Sequence, residues 1–256
     1  MSEAARIQAY LRATARGFYD AVAVPPFTAF FHPDDRLRYL NYAIPDEPVA
    51  GEPLAPDLGE PLAWLRGAFR SRDRLLRFEY VEGFAPGLAA SLEQAGFELE
   101  LRAPLMTCRT TDLVDPPRPA RLEIVPAAHD PRAQITIGRR AFGSGDEPEA
   151  NDEDVEAWLK RSRSAALLGL LDGEPVAIAS ATPPLDGLSE VAGVAVLAHA
   201  RNLGIGAAMT AAAGRAAAEN GAALVFLSPG SDGARSVYER VGFRPAEVSL
   251  FYFDPE

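Results

Sequence analysis

One stretch constrains this chain more than any other: Ser189 to Ala218, SEVAGVAVLAHARNLGIGAAMTAAAGRAAA. Val191 to Leu197 is apolar and β-branched, the pattern of a strand. A short break follows, Arg201-Asn202-Leu203-Gly204-Ile205-Gly206, and then an Ala-rich segment with the composition of a helix. The first N–H groups of a helix lack intrahelical partners, and the helix dipole concentrates partial positive charge there. A strand feeding a glycine-containing break and a helix N-terminus is therefore an anion-binding device. Gly204 and Gly206 let the backbone approach a bulky anion with no Cβ in the way, and Arg201 adds a fixed positive charge.

Two familiar glycine loops fail here on residues their chemistry requires. A dinucleotide fingerprint wants a third glycine, where this chain has Met209, and a carboxylate ending the next strand, which closes instead at Ser228. A phosphate loop of the nucleoside-triphosphatase kind wants Lys-Ser/Thr after its last glycine, and Ala207-Ala208 stands there. Arg-x-x-Gly-x-Gly between a strand and a helix resembles the pyrophosphate loop of the GNAT acetyltransferase superfamily at every signature position. Downstream, SVYERVGF (Ser236 to Phe243) resembles the Tyr-x-x-x-Gly-Phe element of the same family.

The segment order supports that resemblance over Arg121 to Asp254. Arg121–Val125 reads as a strand, Arg132–Phe142 and Val155–Arg163 as helices, and Ala165–Leu171 with Val176–Thr182 as a hairpin about Asp172-Gly173. Ala223–Leu227 is a further strand, followed by a helix, Gly-Phe and a last strand.

The first half reads as a helix over Glu3–Val22 ended by Pro25-Pro26, and extended segments at Phe27–Phe31 and Leu37–Ile44. A proline-rich acidic loop (Pro45 to Pro61), a helix over Leu62–Arg72 and a strand over Leu75–Val81 follow. Leu76 to Cys108 then has the layout of Ala223 to Phe253: strand, turn, helix, Gly-Phe, long strand. Gly96-Phe97 aligns with Gly242-Phe243 at an offset of 146, without gaps through the helix. A repeat at that spacing implies two similarly folded domains. The expected class is α/β: two GNAT-like domains, 1–115 and 119–256, each a central mixed β-sheet flanked by helices. Thr110–Ala120, with Pro116, Pro117 and Pro119, is the expected stiff connector.

Where the second copy has Tyr238 the first has Leu92, and where the second has the glycine loop the first has the acidic one. The first half therefore resembles a degenerate GNAT domain. Packing against the second domain, pairing subunits in a homodimer, or shaping the acceptor cleft are its candidate roles.

The resemblance implies acetyl-CoA as acyl donor. Backbone groups of Val194, Ala195 and Val196 would face the pantetheine arm, and Arg201, Asn202, Leu203, Gly204, Ile205, Gly206 and Ala207 would hold the pyrophosphate. Ser231 occupies a position often held by asparagine in the family. Tyr238 would protonate the departing thiolate. Glu190 occupies the base position of the histone-acetyltransferase branch, and on a half-buried strand its pKa would rise toward neutrality. The acceptor would be a primary amine on a small molecule or peptide. Gly143 to Asp154, GSGDEPEANDED, lies in the segment that lines the acceptor site in the family. Its carboxylates either attract a cationic amine or are solvated surface. Phe142 and Trp158 either wall the acceptor or pack in the core. The alternative to an enzyme is an acyl-CoA-binding or assembly protein that keeps the fold without turnover.

A net charge of −11 argues against a nucleic-acid partner. No apolar run reaches the length of a membrane span, and MSEAARIQAYLRA has no apolar signal core, so the expectation is a cytoplasmic protein. Cys108 is the sole cysteine and the three histidines lie far apart, so no metal site is expected.

Overall fold

The computed structural model describes residues 2–33, 36–49, 58–143, 148–161 and 165–255. The elements run α1 (Glu3–Ala15), β1 (Asp20–Val24), β2 (Phe27–Phe31), β3 (Asn41–Pro45), α2 (Gly59–Arg70), β4 (Arg77–Val81), α3 (Leu88–Gln94) and β5 (Glu98–Arg109). They continue through β6 (Leu122–Pro126), α4 (Pro131–Phe142), α5 (Asp152–Arg161), β7 (Ala165–Leu171), β8 (Glu174–Ala181) and β9 (Leu188–Val196). The chain closes with α6 (Ile205–Glu219), β10 (Leu224–Leu227), α7 (Asp232–Val241) and β11 (Arg244–Phe253).

The first helix is shorter than its periodicity predicts. Ser2 caps it by accepting from Ala5 N, and it ends at Ala15. Beyond Gly17, Val22 and Val24 pair with Ala29 and Phe27 in a hairpin turned by Pro25-Pro26. β-branched residues with cross-strand partners override a helical spacing there.

Two compact units emerge, one of residues 1–105 with 245–256, the other of residues 106–244. In the first, β1, β2 and β3 are antiparallel, β3 runs parallel to β4 at Ala43 and Phe78, and β4 pairs antiparallel with β11, which is followed by β5. α2 and α3 contribute Leu65, Phe69, Leu88 and Leu92 to a core with Phe27, Phe78, Tyr80 and Leu250. In the second, β6 to β9 form an antiparallel meander, β9 runs parallel to β10, and β10 pairs antiparallel with Met106–Arg109 of β5. One face carries α6 and α7, with Met209, Tyr238, Val241 and Phe243 in the core. On the other, Ile137 of α4 packs with Leu168, Leu170, Ile178 and Ala195. The mixed α/β class expected from the sequence is found.

The units do not part at the proline connector, as a division into 1–115 and 119–256 expects. Met106 and Cys108 lie in the core of the second unit, and Leu250 and Tyr252 in that of the first. Each sheet is thus completed by a strand from the other half of the sequence, so a linear cut would strip apolar side chains from both cores. No helix among the described residues is long and apolar enough to cross a membrane.

Candidate active site

The site is built where β9 leaves β10. Leu188, Ser189 and Glu190 pair with Leu224, Val225 and Phe226, and β10 ends one residue later. Six further residues of β9, Val191–Val196, continue beyond β10, and among the described residues β8 is their one strand neighbour, so their edge toward β10 is open there. The strand also carries an extra residue there: Ser180 pairs with Ala192 but Ile178 with Ala195, and Gly193 takes φ +62°. That bulge turns Ala195 toward α4, while Val194 and Val196 pack on the α6 side. The three residues expected along the pantetheine arm therefore share an edge of backbone but not a face.

The chain then makes a 3-10 turn at Ala198–Ala200 and reaches the glycine loop. Arg201 is exposed, and its Nε donates to Val196 O at 3.1 Å, tying the loop to the end of β9. Asn202 and Gly204 take φ +63° and +82°. Gly204 is the N-cap of α6, and among the described residues no side chain caps that helix. The orphan amides of its first turn are thus left for an external acceptor. Ile205 and Ala207 bury their side chains in the core, so of these two only the backbone can serve a ligand. Leu203 is exposed. A Cβ on Gly206 would meet Val196 Cγ2 at 3.7 Å and Val237 Cγ1 at 3.8 Å, so this glycine lies between the end of β9 and α7.

Helix α7 supplies the other expected groups. Ser231 is its N-cap, and its Oγ accepts from Ala234 N at 3.2 Å, which leaves the hydroxyl hydrogen for donation. Tyr238, two turns on, is 9 % exposed, with its ring centroid 6.3 Å from that of Phe243. Burial raises its pKa above the ordinary phenol value, so it keeps its proton throughout the neutral range.

Glu190 sits on the last rung shared by β9 and β10 and is half-buried. Thr182 braces its backbone: Thr182 N donates to Glu190 O at 2.9 Å, and Glu190 N donates to Thr182 Oγ1 at 3.0 Å. Strand alternation places it with Ala192 and Phe226 on the face that α4 covers.

The carboxylates after α4 have partners that their sequence spacing does not assign. Asp154 receives both terminal nitrogens of Arg139, at 2.9 and 2.7 Å, Asp152 pairs with Arg132, and Glu149 pairs with Arg140 at 2.7 Å. Three of the segment's six carboxylates are thus paired with arginines of α4, two of them, Asp152 and Asp154, from α5. Residues 144–147 lie outside the described residues, as do 50–57 of the first unit's acidic loop. Phe142 is exposed and Trp158 half-buried. Sequence reasoning also passes over Gln134 on α4, whose Oε1 is buried without a hydrogen-bond partner among the described residues. A glutamine in a helix reads as surface, and no spacing marks it otherwise.

Comparison with known proteins covers this arrangement. Residues 133–243, from α4 to the Gly-Phe after α7, match the Acetyltransferase (GNAT) family. A GCN5-related N-acetyltransferase from Kribbella flavida is 33 % identical, with a TM-score of 0.79, over 100 % of this chain and 97 % of its own. A mycothiol acetyltransferase from a Parafrankia species is 29 % identical over 216 residues, 69 % of this chain; the alignment spans 65 % of that relative's length. A tandem GNAT protein from the clavulanic acid biosynthesis pathway shares the fold at 16 % identity and a TM-score of 0.57, over 89 % of this chain and 77 % of its own.

Proposed function

The chain belongs to the GCN5-related N-acetyltransferase family and is an acetyltransferase; from that premise we propose that it moves an acetyl group from acetyl-CoA to a primary amine by direct attack. The observation that carries this reading is the uncapped N-terminus of α6, opening beside the free edge of β9 with Tyr238 on the adjoining helix. Those residues fit the donor. Amides of Gly204 to Ala207 and the charge of Arg201 suit a pyrophosphate, and the edge at Val194 to Val196 suits an amide-bearing arm. When bound, acetyl-CoA supplies an activated acyl carbon and a thiolate leaving group.

The chain's own groups then divide the proton work. Glu190, on the α4 face, takes the proton of the incoming ammonium directly or through a water, so that a neutral amine attacks. Tyr238, held protonated by burial, delivers its proton to the sulfur as the carbon–sulfur bond breaks, and the proton shed by the new amide nitrogen passes through water to restore the phenol. Ser231 donates its free hydroxyl hydrogen to the pantetheine arm while it caps α7. The first unit is a tandem copy without a working glycine loop. The mycothiol acetyltransferase likeness makes a mycothiol-related amine the acceptor to try first, beside simple primary amines.

Calorimetric titration with acetyl-CoA, beside the same titration of Gly206→Glu, tests the reading. The contacts around Gly206 are ordinary van der Waals distances, so the variant tests the site and not the fold. Micromolar binding lost in the variant supports the assignment; no binding by the parent protein removes it.

A further inference from the structure

The segment Thr110–Arg118 looks like an interdomain linker in the sequence, yet it lies fastened along α6 and α7 of the second unit. Thr110 N donates to Ala223 O at 3.0 Å, and Val114 N donates to Val241 O at 3.0 Å. Asp115 receives Arg215 Nε and Nη2 at 2.8 and 2.6 Å. Leu113 is 8 % exposed within the core of that unit.

Three glycines, far apart in sequence, make room for this path. A Cβ on Gly242, just past α7, would fall 2.7 Å from Asp112 O. One on Gly214, mid-way along α6, would fall 2.9 Å from Leu113 Cδ1. One on Gly204, the N-cap of α6, would fall 3.0 Å from Pro117 O. The segment thus runs from the end of α7, over the middle of α6, to the glycine loop, and stops with a backbone carbonyl against the loop's left-handed residue. Pro116 and Pro117 have fixed φ, so the end that meets Gly204 is stiff.

We propose that Thr110–Arg118 is a positioning strap, with Pro117 as its working end, that holds the Arg201–Ala207 loop in the conformation that receives the donor's pyrophosphate. The proposal rests on the reading of that loop as the pyrophosphate site. Its physical basis is preorganisation. Asn202 and Gly204 both sit at positive φ, and a glycine exchanges readily between that region and negative φ. Only when the loop is held does the first turn of α6 aim its amides outward together. A strap that excludes other loop conformations raises the binding-competent fraction, and apparent affinity follows that fraction.

The experiment compares the parent protein with the double variant Pro116→Gly, Pro117→Gly and, as a milder loosening, Asp115→Ala, which unfastens the strap from Arg215. Three measurements are made: acetyl-CoA affinity by calorimetry, turnover with acetyl-CoA against S-acetylpantetheine, and amide hydrogen exchange of residues 204–208 without ligand. S-acetylpantetheine carries the thioester but no pyrophosphate. If the competent fraction falls to about a tenth, acetyl-CoA binds about tenfold more weakly. Turnover with S-acetylpantetheine stays at the parent value, and the loop amides exchange faster, in Asp115→Ala less than in the double variant. Unchanged exchange and affinity in a folded variant overturn the proposal, and so does an equal loss with both donors, which would mean general destabilisation. If the double variant does not fold, Asp115→Ala decides by the same three readouts. A parent protein that binds no acetyl-CoA removes the pyrophosphate reading of the loop. Faster loop exchange in the variants would then show that only the ligand assignment had failed.

Discussion

The helices that precede the two Gly-Phe pairs end alike but carry different chemistry. Phe97 N donates to Leu92 O at 3.0 Å, and Phe243 N to Tyr238 O at 3.2 Å. Gly96 N donates to Glu93 O at 3.1 Å, and Gly242 N to Glu239 O at 3.2 Å. Both glycines take positive φ, and both phenylalanines are buried. What the copies share is the means of stopping a helix and seating the following strand. They differ at the residue whose carbonyl receives the phenylalanine amide: Leu92 fills a core completely, while Tyr238 brings a phenol to the edge of one. The entrances to α2 and α6 differ likewise. After β3 comes Asp46, whose carboxylate accepts from Thr28 Oγ1 at 2.9 and 2.8 Å, whereas after β9 comes the loop that begins with Arg201. The two helix ends have the same backbone geometry, and the groups proposed to meet an anion and a thioester stand in the second unit.

The largest effect expected from breaking this comparison is chemical. Tyr238→Phe keeps the ring and removes the proton donor. The acetyl-transfer rate should fall by about a hundredfold or more, the usual contribution of a positioned acid, with acetyl-CoA affinity within about twofold of the parent. Its raised pKa fixes the sign of the pH dependence. The alkaline limb of the parent profile, where the acid loses its proton, should lie above the ordinary phenol value, and the variant should lack that limb. Leu92→Tyr, which puts the phenol into the first copy, should give no transfer there. Steady-state rates beside calorimetric affinities check all three.

The shared glycines come next, because their surroundings differ. A Cβ on Gly96 would have no neighbour within 4 Å among the described residues, so Gly96→Ala costs only the strain of its positive φ, about 1–2 kcal/mol. Gly242→Ala meets the same strain and also Asp112 O at 2.7 Å and Cys108 Sγ at 3.2 Å. Backbone has to move there, and the expected cost is about 3 kcal/mol or more. Urea denaturation of the two variants should rank them in that order. Equal losses would mean that the path of Asp112 does not constrain Gly242.

How much of this is legible in the sequence depends on the range of the cause. The strand, glycine loop and helix around Arg201 to Ala207 are local, and so is the hairpin at Asp172-Gly173, where both residues take positive φ. The repeat is legible because Gly96 and Gly242 do the same local work. The exchange of closing strands is not, since β5 and β11 have the same alternation whichever neighbour they pair with. Nor is the strap, whose prolines read as a linker until Gly204, Gly214 and Gly242 come together in space. The clasp on α4 is hidden for the same reason: Arg132, Arg139 and Arg140 reach acids 9 to 20 positions away, beyond any helical spacing.

That clasp gives the smallest predicted effect and separates the two readings of the acidic segment. Arg139 holds the Asp154 carboxyl below its ordinary pKa of 3.8, first through their hydrogen bonds, while partial burial works against that shift. A carboxylate with a lowered folded pKa adds stability that is fully present above the unfolded value and is lost as pH falls through the folded one. Asp154→Asn should therefore destabilise the protein by about 1 kcal/mol at pH 7, and the difference from the parent should shrink as the pH is taken below 3.8. If the acids serve α4 and α5 and not the acceptor, KM for a cationic amine should stay within about twofold of the parent, since the charge removed is one already paired with Arg139. A KM that rises tenfold with stability intact would return Asp154 to the acceptor site and make the segment an anionic well after all.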